Sequence, residues 1–257
     1  MTDRGALCLS FDNLGIDEAS SAAGALPSLL RQLAEHGLAA TFFAEGINAE
    51  LNPETLRAIA AAGHEVAYHA WRHESWGDLS AAEQADNLAR GVAAFKDLGI
   101  EINGLRPPGG QLGKGGVDLL HNSGLTYASP AGKGAGIEDK IALLPFQWKH
   151  VDATCMLPNL DPVRKQMTGS GDPIDPDTFT TYLGKEIEDN EQEGGFISIV
   201  LHLPLLAWLG EKNLATILSQ LSTTPSWVAR NDQVAEHVRA HPTRFASATT
   251  LDSTSWA

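Results

Sequence analysis

The feature that most constrains the fold of this chain is the alternation of short apolar runs with segments of helical period. The apolar runs include ALCLSF, LAATFFAEG, EVAYHA and FISIVLHL. Between them lie segments such as SAAEQADNLARGVAAFKDLG, where Ser80 and Glu83 have the spacing of a helix capping box. Several runs are apolar throughout, as is typical of parallel strands covered on both faces. The pattern predicts about seven βα units, hence an α/β fold, a distorted (β/α)7-type barrel in one domain over residues 1–257.

One stretch does not follow the alternation. Residues 156–177 are rich in Pro, Asp and Gly, and this composition predicts a long loop. Long loops of barrels often cover a pocket, and long loops are also found as surface excursions. Both interpretations stay open.

Charge and cysteine content narrow the classes of function. The chain has 18 Lys and Arg against 32 Asp and Glu, a formal net charge of −14. A field of this sign repels phosphate backbones and anionic lipids, which argues against nucleic acid and membrane surfaces as partners. Cys8 and Cys155 lie far apart beside apolar residues, as expected of reduced thiols. Since the N-terminal stretch has no signal-peptide pattern, we expect a cytoplasmic enzyme with a small-molecule substrate.

The candidates for chemistry are polar residues at the ends of predicted strands. In β/α barrels the active site lies at the carboxyl ends of the strands. The residues at these positions are Asp12, Asn13, His69, His73, Arg106, Asp152 and His202.

The residue types at these positions suggest roles. His69 and His73 are four residues apart, a spacing that allows two imidazoles to share one divalent metal. Arg106 stands before a rigid Pro-Pro turn, where it can make a bidentate pair with a carboxylate such as Asp12. His202, at the end of an apolar strand, is placed to act as a general acid. Taken singly, the two histidines are better explained as loop residues and His202 as a core histidine, while a surface position explains Arg106 equally well.

In their order along the chain, the motifs resemble those of the polysaccharide deacetylases with the NodB-homology fold. They read SFDN, HAWRH, RPPGG, WKHVDA and VLHLP across residues 7–204. The ending SWVARNDQVAEHV and the absence of a secretion signal resemble the cytoplasmic branch, which includes allantoinase-like cyclic-amide hydrolases. The resemblance implies hydrolysis of an amide bond in a small molecule or short saccharide, such as an N-acetylated sugar or a small N-acyl metabolite. It also allows a homo-oligomer.

The resemblance also implies roles for the candidate residues. Asp12 matches the catalytic base, Arg106 the arginine that orients it, His202 the general acid and Asp152 the partner of that histidine. The metal ligands correspond to His69, His73 and Asn13, with Zn as the expected ion and Co or Ni as alternatives. Trp148 or Trp71 is a candidate for a pocket wall, with core packing as the alternative for either.

Asn13 departs from the family pattern, in which a second aspartate follows the base and completes the metal site. An amide oxygen carries no charge, so the site should hold a divalent cation more weakly, or not at all if Asn13 does not ligate. Three interpretations follow, in order of preference. The metal binds and the enzyme is a deacylase; the site works without metal on a cyclic amide, as in allantoinase-like enzymes; or the protein is an inactive small-molecule binder.

Overall fold

The computed structural model of the protein describes residues 5–242 and 249–252. The strands are β1 Ala6–Asp12, β2 Thr41–Ala44, β3 Glu65–Tyr68, β4 Gly104–Leu105, β5 Tyr127–Ala128, β6 Gly132–Lys133, β7 Gly136–Glu138, β8 Ile141–Leu143, β9 Phe196–His202, β10 Trp227–Val228 and β11 Thr250–Leu251. The helices are α1 Leu26–Glu35, α2 Asn48–Leu51, α3 Pro53–Ala61, α4 Ala81–Asp97, α5 Gly116–Asn122, α6 Asp161–Thr168, α7 Pro176–Glu193, α8 Leu206–Leu209, α9 Glu211–Thr223 and α10 Asn231–Ala240. Within these ranges, no helix has both the length and the apolar character needed to cross a membrane.

Seven parallel strands of the described chain curl around a lumen. Their order is β9, β1, β2, β3, β4, β5, β8, and each pairs with the next. The circle closes where Val151, beyond β8, forms a parallel bridge with Val200 of β9. β10 lies beside the start of β1, and β7 pairs antiparallel with β8. The prediction of an α/β fold with a distorted (β/α)7-type barrel is confirmed. The barrel departs from a regular one at this closing point, where an isolated bridge stands in place of a strand ladder. The assignment of all of residues 1–257 to one domain stays a prediction.

The two faces of β1 differ in chemistry. Leu7, Leu9 and Phe11 belong to the large apolar core that the barrel shares with the helices. Because successive side chains of a strand alternate between faces, Ser10 and Asp12 lie on the lumen side. A strand that looks apolar therefore carries its polar residues towards the centre of the barrel.

Segment 156–177 contains a helix, so the prediction of a long loop was wrong. Helix α6 has Pro162 in its first turn and ends at Gly169, which takes the left-handed conformation with a φ of 84°. Both are common boundary signals of helices. Arg164, which is buried, donates hydrogen bonds to backbone carbonyls at positions 154 and 157. These bonds tie the helix to the barrel, an interaction that composition does not reveal.

A buried carboxylate lies near the amino ends of the strands, at the end of the lumen opposite their carboxyl ends. Glu65, the first residue of β3, accepts hydrogen bonds from the hydroxyls of Thr41 and Tyr127, each at 2.8 Å. It also accepts one from the backbone N–H of Asp232 at 3.0 Å, in the first turn of α10. Burial, reinforced by the charge of Asp232, raises the pKa of Glu65 to about 7. The carboxyl group thus anchors α10 under the barrel.

Candidate active site

Side chains from four strand ends meet at one mouth of the barrel. Asp12 and His202 are the last residues of β1 and β9, and they lie opposite one another in the ladder. His69 directly follows β3, and Arg106 directly follows β4. Parallel strands run in one direction, so their carboxyl ends lie together. The structure thus brings together residues that were predicted from separate stretches of sequence.

Asp12 and Arg106 form a buried ion pair. Nη1 of Arg106 donates to Oδ1 of Asp12 at 2.6 Å. The other carboxylate oxygen, Oδ2, lies 3.9 Å from Nε2 of His69. Burial raises the pKa of Asp12, while the charge and hydrogen bond of Arg106 oppose the rise. The pair fixes the carboxylate and leaves Oδ2 for a substrate or water.

Three serines that sequence reasoning missed hold the guanidinium of Arg106. Ser10 accepts from Nη1 at 2.6 Å, and Ser198 accepts from Nη2 at 3.1 Å. Ser129 accepts from both Nε and Nη2, at 3.3 and 3.0 Å. The guanidinium carbon also lies 4.0 Å from the ring centre of Phe43. The signal available in the sequence was the position of the serines on the lumen side of their strands, since the side chains there alternate with apolar ones.

His202 is held by Asp152 through two hydrogen bonds. Nδ1 of His202 lies 2.5 Å from Oδ1 of Asp152, and the backbone N–H of His202 donates to Oδ2 at 2.8 Å. Burial lowers the pKa of His202, but the charge and hydrogen bond of Asp152, assisted by the charge of Asp12, outweigh burial and raise it. With Nδ1 engaged, the ring presents Nε2 as its free proton donor.

The two predicted metal-binding histidines are neighbours in space. Nδ1 of His69 is 2.8 Å from the carbonyl oxygen of Arg106, so Nδ1 carries the proton and Nε2 keeps its lone pair. The ring of His73 lies 4.9 Å from that of His69, measured between centroids. Burial lowers the pKa of both histidines. Burial therefore favours the neutral form of both imidazoles, which is the form that binds metal ions.

Asn13 has an unusual backbone and an unsatisfied side chain. Its φ is 65°, and His73 has a similar φ of 62°, values that non-glycine residues seldom adopt. Strained residues of this kind cluster at functional sites. The amide oxygen Oδ1 of Asn13 is buried and has no hydrogen-bond partner. A buried oxygen without a partner is destabilising, so Oδ1 is available to a ligand.

The donor atoms of His69, His73 and Asn13 fit a divalent metal, but this ligand set has no negative charge. Within residues 5–242 and 249–252, no group of three or more His, Cys, Asp or Glu side chains is arranged to hold a metal ion. The donors at the mouth are two neutral imidazoles and the amide oxygen of Asn13. Nitrogen and oxygen ligands of this type bind zinc and its neighbours. Without the charge of a carboxylate, however, affinity should be lower.

A second group of residues that sequence reasoning missed supports the loop after β1. Glu45 accepts a hydrogen bond from the backbone N–H of Leu14 at 3.0 Å. Asn48 donates to the same carboxylate at 3.0 Å and to the carbonyl oxygen of Gly15 at 2.8 Å. Burial raises the pKa of Glu45 to about 7. These contacts hold the chain directly after Asn13.

A cavity of about 320 Å³ joins the predicted residues. Its polar lining consists of Asp12, Asn13, His69, His73, Arg106 and His202. The rest of its described lining is apolar or glycine: Pro107, Pro108, Gly109, Phe146, Trp148, Val151, Ala153, Leu157, Val200, Pro204 and Leu205. Asp152 is not part of this described lining; it is hydrogen-bonded to His202, which is. The volume lies at the small end of the range for ligand sites.

The two candidate tryptophans differ. Trp148 lines the cavity. Trp71 is buried, with the guanidinium carbon of Arg90 lying 3.5 Å from the centre of its ring. Of the two, only Trp148 belongs to the described lining.

Comparisons with known proteins identify the family. Residues 1–128 match the family model for polysaccharide deacetylases. A protein from Mycobacterium smegmatis assigned to the polysaccharide deacetylases matches in structure with a TM-score of 0.78 and 25% identity, covering 98% of this chain and 96% of that one. Residues 1–128 belong to the polysaccharide deacetylase family. The resemblance inferred from the ordered motifs is thereby confirmed.

Two further relatives show how far the similarity of this chain to known proteins extends. A peptidoglycan deacetylase from Helicobacter pylori is 36% identical over 73 residues, which are 28% of this chain and 25% of that protein. The match thus spans about a quarter of that relative's length. An allantoinase structure shares the fold, with a TM-score of 0.69 and 18% identity over 93% of this chain and 92% of that chain. The polysaccharide deacetylases are hydrolases of carbon–nitrogen bonds in amides other than peptides.

Proposed function

We propose that this protein hydrolyses the amide bond of a small N-acyl compound, an N-acetylated sugar or a small N-acyl metabolite, with the help of a divalent metal. The observation that carries the proposal is the placement of two proton-transfer groups at one cavity. Asp12 and His202 lie opposite one another in the β1–β9 ladder. Arg106 orients the first and Asp152 orients the second. A fixed carboxylate and a fixed imidazole are what a base and an acid require.

The proton transfers follow from these contacts. Oδ2 of Asp12 accepts a proton from the attacking water, because Oδ1 is occupied by Arg106. The water oxygen bonds to the carbonyl carbon, and the carbon–nitrogen bond breaks as Nε2 of His202 donates a proton to the nitrogen. The products are a carboxylic acid and an amine. The charge of Asp152 favours the protonated form of His202 before this step, since it raises the pKa of the ring.

His69, His73 and Asn13 would hold the metal. When bound, a divalent ion polarises the amide carbonyl and lowers the pKa of water. The donor chemistry supports zinc, with cobalt or nickel as alternatives. The lower charge of this ligand set should make occupancy sensitive to chelators.

Asn13 also favours a second candidate function. A site that loses its ion would act through Asp12 and His202 alone, which suits a more reactive cyclic amide. In this case the protein is a metal-independent cyclic-amide hydrolase. A catalytically inactive binding protein is the third outcome that experiment must separate from the other two.

Hydrolysis of a panel of amides tests the function: release of amine is measured for the acyclic amides, and opening of the ring to a ureido acid is measured for hydantoin. N-acetylglucosamine, an N-acetyl amino acid, acetanilide and hydantoin are incubated with protein supplied with zinc. We expect hydrolysis of an acyclic amide and a fall of about 100-fold or more in His202→Gln. His121→Gln, which changes an exposed histidine on α5, is the matched control. Turnover of hydantoin alone supports the second function, and no turnover of any amide contradicts both.

Metal content tests the ligand set. Protein purified without chelator is analysed for zinc, cobalt and nickel, beside His69→Ala and Asn13→Asp. We expect metal in the natural protein, loss in His69→Ala and tighter retention in Asn13→Asp. Metal in Asn13→Asp but none in the natural protein would favour the metal-independent function. A cytoplasmic location and the state of self-association stay predictions.

A further inference from the structure

The lining of the cavity divides by strand. The ends of β1 and β3 contribute the ionisable and amide groups, while the segments after β4 and β8 and the end of β9 contribute apolar side chains beside Arg106 and His202. Phe146 and Val151 come from the segment after β8, and Val200 comes from β9. A substrate therefore meets one polar region, around the reacting amide, and one apolar region.

The polar groups have little capacity left for anything except an amide. Each of the five N–H groups of a guanidinium can donate once. Those of Arg106 are matched by contacts to Ser10, Asp12, Ser129 and Ser198. What remains is Oδ2 of Asp12, Nε2 of His202 and the proposed metal ligands, which all serve one amide bond, together with the indole Nε1 of Trp148, a buried N–H without a hydrogen-bond partner.

A saccharide in this cavity would have fewer partners than it has hydroxyl groups. Each hydroxyl group of a sugar loses water on entering a pocket and needs a hydrogen bond in return. The carbon atoms of the proline, valine, leucine, alanine and phenylalanine side chains in the described lining cannot provide it, and Nε1 of Trp148 can serve one hydroxyl group. An apolar group, by contrast, is stabilised by leaving water for the same surface.

The rim of the cavity carries a further apolar signal. Leu157 is 41% exposed although it lines the cavity. Pro204 is exposed and Leu205 is half-buried at the same cavity. Exposed apolar groups around a concave site are typical of surfaces that bind apolar ligands.

We infer that the substrate is an N-acyl compound with an apolar body, carried on a long acyl chain or on an apolar amine, and that the cavity prefers such a compound to an N-acetylated saccharide. The inference rests on the proposed amide hydrolysis and narrows its substrate class. The chemistry shared by both kinds of substrate is one amide attached to a hydrocarbon group.

The test compares amides that differ in the groups attached to the two sides of the amide bond. The values of kcat/KM are measured with zinc for N-acetylglucosamine, chitobiose in its N,N′-diacetylated form, acetanilide and N-hexanoylglucosamine. We expect acetanilide or N-hexanoylglucosamine to exceed N-acetylglucosamine by about tenfold or more. A preference for acetanilide places the apolar body on the amine, and a preference for the hexanoyl compound places it on the acyl group.

A comparison of Leu157→Ser with the control Leu51→Ser tests whether the preference for apolar amides arises in this cavity. The two leucines are 41% and 40% exposed, and Leu51 does not line the cavity. Leu157→Ser should lower kcat/KM for the preferred apolar amide by about fivefold, a larger factor than for N-acetylglucosamine. Leu51→Ser should leave both unchanged.

Two outcomes overturn the inference. One is a preference for chitobiose, which could pass Trp148 into a neighbouring polar cavity lined by Lys133 and Gln147. The other is an equal response of both leucine variants. Calorimetric titration of the natural protein with acetanilide and N-hexanoylglucosamine separates failure of this inference from failure of the proposed function. Binding that Leu157→Ser weakens, without turnover of any amide, supports the apolar site and contradicts the hydrolase; absence of binding and turnover overturns both.

Discussion

Replacing Ser129 by alanine should destabilise the protein by removing two hydrogen bonds from the guanidinium of Arg106. The hydroxyl of Ser129 lies 3.3 Å from Nε and 3.0 Å from Nη2, and Ser129 and Arg106 are both buried. Hydrogen bonds to a charged group contribute about 1.5–3 kcal/mol. We expect the free energy of unfolding to fall by about 2–3 kcal/mol in Ser129→Ala.

Ser198→Ala provides an internal comparison. Its hydroxyl makes one contact with Nη2, at 3.1 Å, and that nitrogen keeps its contact with Ser129. The loss should therefore be smaller, about 1–1.5 kcal/mol. Ser222→Ala removes an exposed serine that bonds to a helix carbonyl and should change stability by less than about 0.5 kcal/mol.

Urea denaturation followed by circular dichroism measures all three variants. The amide hydrolysis rate should fall in the same order as stability, because Arg106 orients Asp12. A change in Ser129→Ala no larger than that in Ser222→Ala would refute the account of the guanidinium. So would a larger loss in Ser198→Ala than in Ser129→Ala.

Three further predictions follow from the structure. In Asp152→Asn the negative charge that raises the pKa of His202 is lost, so the alkaline limb of kcat/KM should move to lower pH; an unmoved limb would exclude His202 as the proton donor. Gly104→Ala would place a Cβ 2.0 Å from a tyrosine ring and should lower the free energy of unfolding by about 3 kcal/mol, whereas Gly24→Ala, which meets open space, should be nearly neutral in the same urea titration. Because the pKa of Glu65 is raised to about 7, the folded state keeps a proton that the unfolded state releases; the unfolding free energy relative to Glu65→Gln should fall as pH rises from about 5 to about 8, and a constant difference would contradict this.

The strand ends were predictable because the signal lies in single residues placed after apolar runs. Asp12 and His202 end β1 and β9, and the ordered motifs identified them without tertiary information. The parallel barrel then brings them to one mouth. The family match covers residues 1–128, and the fold match extends over the segments that contain Asp152 and His202.

The supporting contacts were not predictable, because they depend on which side chains face the lumen at the same height. Ser129 and Ser198 are 69 positions apart in sequence and lie in ordinary strand contexts. They meet only through Arg106. Glu65 also has no distinguishing motif in the sequence, yet it is buried and bonded to α10.

The helix α6 was missed for a different reason. Its Pro162 and Gly169 were taken as loop residues, although proline in a first turn and glycine after a last turn also delimit a helix. The buried contacts of Arg164 stabilise that conformation. Composition alone did not separate the two possibilities.

The most direct test of the central claim is the rate of amine release by Asp12→Asn beside the natural protein. Both are measured with zinc on the best substrate of the amide panel, after circular dichroism has shown that the variant is folded. Asp118→Asn, which changes an exposed aspartate on α5, is the control. The account predicts a loss of about 100-fold or more in Asp12→Asn and none in the control. Equal rates in the natural protein and in folded Asp12→Asn would contradict a hydrolase that uses Asp12 as its base.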